Sequence, residues 1–408
     1  MENICLLCRG SKLLCGKAYC PILVKSMISA NVRIIPRDKE IFGTSPPSIF
    51  VGRIGYPKVY VGPGAPPYIG DTQIYDRPEL WIGRPLEEIL NYRFSMILGR
   101  TAVKVTDINN RIVNILQELA MAERPADIEM ILKRSPIPRV RFDEYSPPRG
   151  PVAPLVKVLP SENIKVNHKI ERVYYDTDLK AKEAVVILYK EGVSVSQIQK
   201  VLSVGSMGIG KKRRLVPTRW SITAVDSIIS ENLLKEVRSF PIIDDYRVFV
   251  RKYMKNLFIA ILAPRAWSYE WMEGWFPNTT WNAYGQKPSI EGDYEGFKGR
   301  TTYPDIGGCY YASRLATAEY LYRIRRQAMA ILIREIYPGF ILPIGVWFVR
   351  ENIRAMFNQK PKVFHDIRDV IDYLSKLTQI DFNVWLNKSV LLRRLIKEER
   401  IIRWLNRG

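Results

Sequence analysis

The segment from Gly205 to Asp226 restricts the fold of this chain more than any other. Three glycines within it lead into four consecutive cations, and Pro217 follows shortly after them. The spacing from Gly205 to Lys211 matches the G-x-x-x-x-G-K core of a nucleotide-binding P-loop, but Lys212 stands where a Ser or Thr must ligate magnesium. Pro217 also interrupts the helix that has to follow a P-loop. The segment therefore predicts that the chain is not a P-loop ATPase.

We call Gly205–Trp220 the basic turn and expect it to bind phosphates. Glycine lets backbone N–H groups approach a ligand closely, and the adjacent cations neutralise its charge. The residues predicted to contact nucleic acid are Gly208, Gly210, Lys211, Lys212, Arg213, Arg214, Arg219 and Trp220. Charge runs of this kind also occur as solvated loops without a ligand, and the sequence leaves both interpretations open.

The overall charge favours a polyanionic partner. Lysine and arginine number 62 against 41 aspartates and glutamates, which gives a net charge of +21 and a pI near 9.7. Such an excess favours polyanions, nucleic acid above all, because binding releases counterions. An anionic membrane surface is the competing partner, but no apolar run approaches the roughly 20 residues that span a bilayer. The N-terminal sequence lacks signal-peptide features, so we expect a cytoplasmic protein without membrane contact.

Four of the five cysteines lie within the first twenty residues, spaced as C-x2-C-x6-C-x4-C. They are Cys5, Cys8, Cys15 and Cys20. Disulfides are rare in a reducing cytosol, whereas four thiolates at short spacing bind zinc tetrahedrally. We therefore predict a structural zinc knuckle, a small zinc finger, with these four ligands. An iron–sulfur cluster and a fortuitous group of buried thiols are the open alternatives.

Length and residue pattern predict an α+β fold. A chain of 408 residues with 47% hydrophobic composition normally forms two or three domains. A hairpin in Ser48–Gly62, a strand in Asn163–Tyr175 and a long helix in Tyr310–Ile336 are typical of such a mixed architecture. The prolines between Pro136 and Pro154 mark a domain boundary, or else a rigid connector inside one domain.

Four regions are predicted along the chain. Residues 1–24 form the zinc knuckle, and residues 25–150 form an N-terminal α+β region. Residues 151–345 form a central α+β region that holds the basic turn, and residues 346–408 form a helical C-terminal region. Four tryptophans crowd into the central region and are expected to form a core cluster rather than a surface for base stacking, since tryptophan is heavily buried on average. They are Trp267, Trp271, Trp275 and Trp281.

A glycine-rich acidic loop, residues 291–308, carries the candidate catalytic residues. Glu291, Asp293 and Asp305 lie in it together with Arg300. Converging carboxylates can hold magnesium for metal-assisted hydrolysis of a phosphodiester. Acidic residues in polar loops are also often only solvated. With two histidines in the whole chain, a histidine-dependent catalytic triad is not expected.

Three segments together resemble the Nre family of archaeal DNA repair proteins. They are CLLCRGSKLLCGKAYCP near the N-terminus, VGSMGIGKKRRLVPTRWSITAVD around the basic turn, and PNTTWNAYG followed by EGDYEGFKGRTTYPDIGG around the acidic loop. The likeness covers nearly the whole chain. It implies a role in the response to DNA damage, with DNA and other repair proteins as partners.

Some members of that family carry a C-terminal peptide for the replication sliding clamp. Its pattern is Gln, two spacers, an aliphatic residue, two spacers and paired aromatics. The nearest match here, Gln379–Leu386, has one aromatic at the final pair and precedes the last predicted helix. We therefore expect an ordinary amphipathic helix there, no clamp binding through this octet, and membership of the branch without a clear clamp peptide.

Two functions are consistent with these features. The first is a DNA repair protein that binds DNA through the basic turn and carries a structural zinc ion. The alternative is a metal-dependent enzyme that hydrolyses phosphodiester bonds in nucleic acid or a nucleotide, using the acidic loop and magnesium. The exposure and contacts of the cations and carboxylates in the folded protein help to distinguish the DNA-binding function from the enzymatic one.

Overall fold

The first sheet is built from strands with one buried face. In Ala126–Leu132 every second side chain is buried, as expected for a sheet that packs on a core through one side. The computed structural model describes residues 4–10, 12–17, 20–24, 38–137 and 140–405. The strands of this sheet are β1 Glu40–Ser45, β2 Ser48–Val51, β3 Lys58–Ala65, β4 Ile97–Lys104, β5 Ala126–Leu132 and β6 Val152–Pro160. They pair in the order β1-β5-β6-β4-β3-β2, and only β4 and β6 are parallel.

Helices cover the buried side of this sheet and surround the second one. In chain order they are α1 Ile4–Cys8, α2 Leu86–Ser95, α3 Arg111–Met121, α4 His168–Tyr175, α5 Ala181–Lys190, α6 Val195–Ser203, α7 Thr218–Val237, α8 Gly308–Ile324, α9 Trp347–Phe357, α10 Ile367–Ser375, α11 Phe382–Lys388 and α12 Val390–Leu405. The side chain of Asn110 caps α3 by accepting from the Ile112 N–H at 3.0 Å. Helix α3 then packs against β2, β3 and β6.

The second sheet is buried on both faces. Its strands are β7 Tyr246–Tyr253, β8 Asn256–Ala263, β9 Ser268–Trp275, β10 Ser289–Glu295, β11 Met329–Ile336 and β12 Lys362–Phe364, in the order β10-β9-β11-β8-β7-β12. Only β9 and β11 are parallel. Helix α8 covers one face, where Tyr269 of β9 meets Tyr310 and the Ser313 hydroxyl. The other face packs against α10, α11 and α12, so every residue of β8, β9 and β11 is buried.

Internal contacts divide the chain into two units. The N-terminal unit is Leu23–Ile229 with Pro343–Phe348, and it contains the first sheet. The C-terminal unit is Met1–Ile22, Ser230–Leu342 and Val349–Gly408, and it contains the second sheet. The proline-rich segment before β6 lies inside the N-terminal unit, because β6 is one of that unit's strands. Residues 25–37 of the predicted 25–150 region lie outside the described residues.

The predicted α+β class is confirmed, but two segments were assigned the wrong structure. The long helix predicted over Tyr310–Ile336 ends at Ile324, and Met329–Ile336 is strand β11. A continuous apolar run buried on both faces carries no alternation that separates a strand from a helix. The strand predicted over Asn163–Tyr175 is helix α4 from His168 onward, capped by the Asn167 side chain.

The tryptophan cluster and the clamp-like octet both belong to the core of the C-terminal unit. Trp267, Trp271, Trp275 and Trp281 are each 3% exposed or less. Within Gln379–Leu386 the side chains of Ile380, Phe382 and Trp385 are buried in the core between the second sheet and helices α10, α11 and α12. The backbone N–H groups of Gln379 and Ile380 donate to the buried Glu335 carboxylate at 2.9 and 3.0 Å. Phe382 and Trp385, which stand at the aliphatic position and the first aromatic position of the clamp pattern, are therefore buried, whereas Gln379 is exposed. None of the helices in the described part of the chain is both long and apolar enough to cross a bilayer.

A buried carboxylate joins the N-terminal residues to the second sheet. Glu273 of β9 is fully buried and forms ion pairs with Arg9 and Arg334, each at 3.0 Å. Burial alone raises the pKa of the Glu273 carboxyl, but the two guanidinium groups outweigh burial, and the pKa is lowered. The ionised Glu273 carboxylate therefore stabilises the folded protein at any pH above the pKa of Glu in the unfolded chain. This stabilisation is lost as the pH falls through the lowered pKa of Glu273 in the folded protein.

We expect Glu273→Ala to lower the free energy of unfolding by about 3–5 kcal/mol, because the substitution leaves two buried guanidinium groups without their carboxylate. Denaturant-induced unfolding measures the change. The control is Asp372→Ala, which removes an exposed pair with Lys376 and is expected to change stability little. Equal stability of the two variants would contradict the importance of the buried pairs.

Candidate nucleic-acid interface

The basic turn leaves helix α6 through a left-handed glycine. Gly205 has a φ of +72°, and a Cβ there would lie 2.8 Å from the carbonyl oxygen of Arg214. Gly208 has a φ of +107° and packs against Ala181. The two glycines therefore let the chain fold back closely on itself, which places the run of cations that follows.

Part of the basic turn is held in place by its own backbone and by residues at the end of helix α4 and just after it. The Gly210 N–H donates to the Thr177 carbonyl at 2.8 Å. The guanidinium of Arg213 donates to the carbonyls of Gly208 at 2.7 Å and Asp176 at 3.1 Å. It also lies 5.4 Å from the centroid of the Tyr174 ring. Gly208, Gly210 and Arg213, which the sequence predicts as phosphate contacts, thus take part in shaping the turn.

Three cations of the turn extend outward. Lys211 and Lys212 lie in the 3-10 turn Gly210–Lys212, and they and Arg214 are exposed. No acidic residue occurs between Gly205 and Trp220. The turn therefore presents positive charge that its own segment does not neutralise, as a site for backbone phosphates requires.

Arg219 and Trp220 lie on the first turn of helix α7, which begins at Thr218. The Arg219 guanidinium lies 3.7 Å from the Tyr145 ring centroid and 3.9 Å from the Asp143 carboxylate, so most of this cation is covered. Trp220 is 46% exposed and lies against the ring of Tyr56, at 5.4 Å between centroids. Trp220 is therefore a surface side chain rather than a core one.

Tyr56 is a surface residue that the sequence analysis missed. It lies in the turn of the predicted hairpin between β2 and β3, and it is also 46% exposed. The available signal was the run Gly55-Tyr56-Pro57, which places an aromatic ring at a hairpin turn. Its pairing with Trp220 joins residues that are far apart in the sequence, and no local pattern indicates such a contact.

The four N-terminal cysteines line one cavity in the C-terminal unit. The cavity holds about 150 Å³ and is also lined by Trp281 and Tyr284. Burial raises the pKa of the Cys5 thiol, and the nearby thiols of the other three cysteines raise it further. Within the described ranges, no group of three or more His, Cys, Asp or Glu side chains is arranged so as to hold a metal ion. The four thiols thus line a single cavity.

Each acidic candidate for which contacts are described is already engaged. Asp293 forms an ion pair with Arg300 at 2.9 Å and accepts from the Asp305 N–H at 2.6 Å. Glu295, two residues further along β10, is buried and pairs with Arg314 at 2.8 Å. Glu291, Asp293 and Glu295 lie on one face of β10 because they alternate along the strand. Positive partners within the same unit therefore neutralise the charge of Asp293 and Glu295.

Fold and charge define a class before any comparison is made. The chain is a strongly basic α+β protein whose basic turn exposes Lys211, Lys212 and Arg214. The archaeal Nre N-terminal family model matches residues 14–282, and the archaeal Nre C-terminal model matches residues 295–404. The chain belongs to the archaeal Nre family, which confirms the resemblance found in its motifs.

Curated relatives match over nearly their whole lengths. The DNA repair protein NreB of Archaeoglobus fulgidus is 48% identical over 390 residues, which cover 96% of this chain and 97% of the relative. The DNA repair protein NreA of the same organism is 38% identical, over 91% of this chain and 93% of the relative. The DNA repair protein NreA of Haloferax volcanii is 34% identical, over 82% and 83%. No solved structure shows a significant match.

We expect Gly205→Ala to destabilise the N-terminal unit more than Gly192→Ala. Both glycines have positive φ, at +72° and +82°, but only at Gly205 does a Cβ meet backbone within 3 Å. Strain at φ alone costs about 1 kcal/mol, and the contact with Arg214 should bring the loss at Gly205 to about 2–3 kcal/mol or more. Denaturant-induced unfolding of the two variants measures the difference. Equal losses would show that the close approach of the basic turn is unimportant.

Proposed function

We propose that this protein acts in DNA repair by binding DNA through the backbone phosphates. The observation that carries the proposal is the exposure of Lys211, Lys212 and Arg214 on a turn without acidic residues. The net charge of +21 supports it, and so do the relatives, three of which are named DNA repair proteins. Phosphates are common to all DNA sequences, so the binding is independent of sequence.

The cations of the basic turn have two different roles, according to whether their charged groups are exposed or covered. Lys211, Lys212 and Arg214 contact phosphates directly, because their charged groups are exposed. Arg213 and Arg219 act mainly by holding the turn and the start of α7, since carbonyl groups and aromatic rings already cover their guanidinium groups. Loss of an exposed cation therefore weakens binding without loss of the fold, whereas loss of Arg213 disturbs the turn itself.

We expect the double substitution Lys211→Ala with Arg214→Ala to weaken binding to every DNA tested. Each phosphate contact that is lost also lowers the slope of log affinity against log salt, by about 0.9 on duplex or about 0.7 on single strands. The slope should therefore fall by up to about two units. Fluorescence anisotropy with labelled oligonucleotides over a range of salt concentrations measures both effects.

The control removes the same charge from elsewhere on the surface. Lys376 and Lys388 are exposed lysines at the C-terminal ends of α10 and α11. The double substitution Lys376→Ala with Lys388→Ala leaves the slope nearly unchanged if the basic turn is the contact. If the two double variants behave alike, the net charge of the protein drives binding and the turn has no special role.

The cysteine cavity supports a structural zinc ion as part of the proposal. Four thiols meet at one small cavity, and thiolate sulfur is the donor that structural zinc sites use most. Cys5 and Cys8 would hold the ion from helix α1, and Cys15 and Cys20 from the segment that follows. Bound zinc would supply a fixed crosslink among four residues of a short segment that has little core of its own.

We expect protein purified without added metal to contain about one zinc ion per chain, because four thiolates complete one tetrahedral site. Cys15→Ser should reduce the zinc content strongly. The matched control is Cys309→Ser, since Cys309 is buried in helix α8 and does not line the cavity. Elemental analysis by mass spectrometry measures the metal. Iron with visible absorbance, or no metal at all, would contradict the zinc proposal.

A further inference from the structure

The outer face of the first sheet carries an exposed aromatic ring among cations. In the pairing of β3 with β4, Lys58 lies opposite Lys104 and Tyr60 opposite Ala102, so these four residues share one face. Tyr60 is 47% exposed. The guanidinium of Arg100, which is on the same face of β4, lies 4.7 Å from the Tyr60 ring centroid. A ring and a guanidinium plane thus lie together at the surface.

A second pair of rings lies at the end of the same hairpin. Tyr56 lies two residues before β3, and its ring meets that of Trp220. Two hydrogen bonds hold this arrangement in place. The Val51 N–H donates to the Thr218 hydroxyl at 2.9 Å, which fixes the start of α7 to the end of β2. The Gly52 N–H donates to the Tyr60 carbonyl at 2.7 Å, which closes the hairpin.

The strands and the hairpin turn that carry Tyr56 and Tyr60 contain charged residues of one sign only. Neither Ser48–Ala65, which spans β2 and β3, nor β4 contains an acidic residue. The cations in these segments are Arg53, Lys58, Arg100 and Lys104. At the other end of the sheet the pattern differs, because Phe42 of β1 lies opposite Glu129 of β5. Within the first sheet, strands β3 and β4 thus combine an exposed ring with cations and lack the acidic residue that lies opposite Phe42.

We propose that this surface binds unpaired bases of single-stranded DNA by stacking. We name it the aromatic platform and define it by Tyr56, Tyr60 and Trp220 with the cations Arg53, Lys58, Arg100 and Lys104. Exposed aromatic rings and arginine planes stack on bases of any identity, and neighbouring cations bind the phosphates between them. Bases within an intact duplex are already stacked on one another and offer no free face.

The inference rests on the proposed function, because it names the DNA substrate class that the basic turn helps to hold. Trp220 is the last residue of the basic turn and also the partner of Tyr56. A strand whose phosphates contact Lys211 and Arg214 therefore has aromatic rings available in the same segment of chain. The two sites differ in the DNA that they bind. The cations of the basic turn bind both duplex and single-stranded DNA, whereas the rings of the aromatic platform bind single strands alone.

The test compares the full-length protein and its variants on a labelled single strand and on a duplex of the same sequence, by fluorescence anisotropy. Trp220→Ala and Tyr60→Ala are each expected to lower affinity for the single strand about tenfold and to leave duplex affinity within about twofold. Tyr60→Phe keeps the ring and should keep the affinity. Thermal unfolding shows whether each variant is folded. Because Trp220 and Tyr60 are separate positions, the test remains possible if one of the two variants fails to fold.

The matched control is Phe42→Ala, at an aromatic ring that is 49% exposed on another strand of the same sheet but opposite an acidic residue. It should leave both affinities unchanged. Unchanged single-strand affinity in the two platform variants would overturn the platform. An equal loss on both forms of DNA would also overturn it, because it would indicate a structural effect. In both cases the proposed function stands if the Lys211 and Arg214 substitutions still weaken binding, whereas a wild-type protein that binds neither form refutes both.

Discussion

The C-terminal unit depends most on the ion pairs that the buried Glu273 carboxylate forms. This carboxylate receives Arg9 from the N-terminal residues and Arg334 from β11, and the Trp275 indole N–H donates to it at 3.2 Å. Arg9 lies directly after Cys8, so the same carboxylate that joins β9 to β11 through Arg334 also fixes the cysteine segment to the sheet through Arg9. A buried charge with two partners is costly to disturb, and the placement of the proposed zinc ligands therefore depends on a residue far from them in sequence.

The sequence predicted those parts of the fold that neighbouring residues along the chain determine. The basic turn follows from its glycines and cations, and the β2–β3 hairpin from its aromatic and β-branched residues around a turn. Strand β11 could not be recognised in the same way, because Met329–Ile333 is apolar on both faces and shows no alternation, which a strand buried on both sides of a sheet does not require. Helix α4 depends on the Asn167 cap, a signal that was present but was outweighed by a β-leaning composition.

The sequence predicted the positive charge of the candidate site but not the contacts that its residues make within the folded protein. The exposed positions of Lys211, Lys212 and Arg214 agree with the interpretation of the turn as a cationic surface. The stacking of Arg219 on Tyr145 and the contact of Tyr56 with Trp220 depend on tertiary packing, which one sequence does not reveal. The same limit applies to Asp293, which is an available ligand by composition alone but is paired with Arg300 in the folded protein.

The way the C-terminal unit is assembled from separate segments also affects the order in which a newly made chain can fold. The N-terminal unit is almost continuous in sequence and is complete, apart from six residues, before any strand of the second sheet is synthesised. Arg9 has no Glu273 to bind until β9 leaves the ribosome, and the buried Glu270 receives the Val390 and Leu391 N–H groups only when the last helix emerges. Domains fold as units during synthesis, so Arg9 and the four cysteines are enclosed only after the second sheet has been made, although they precede it in the sequence. Until then Trp281 is not in place to line the cavity, and the four thiols are open to metal ions and oxidants.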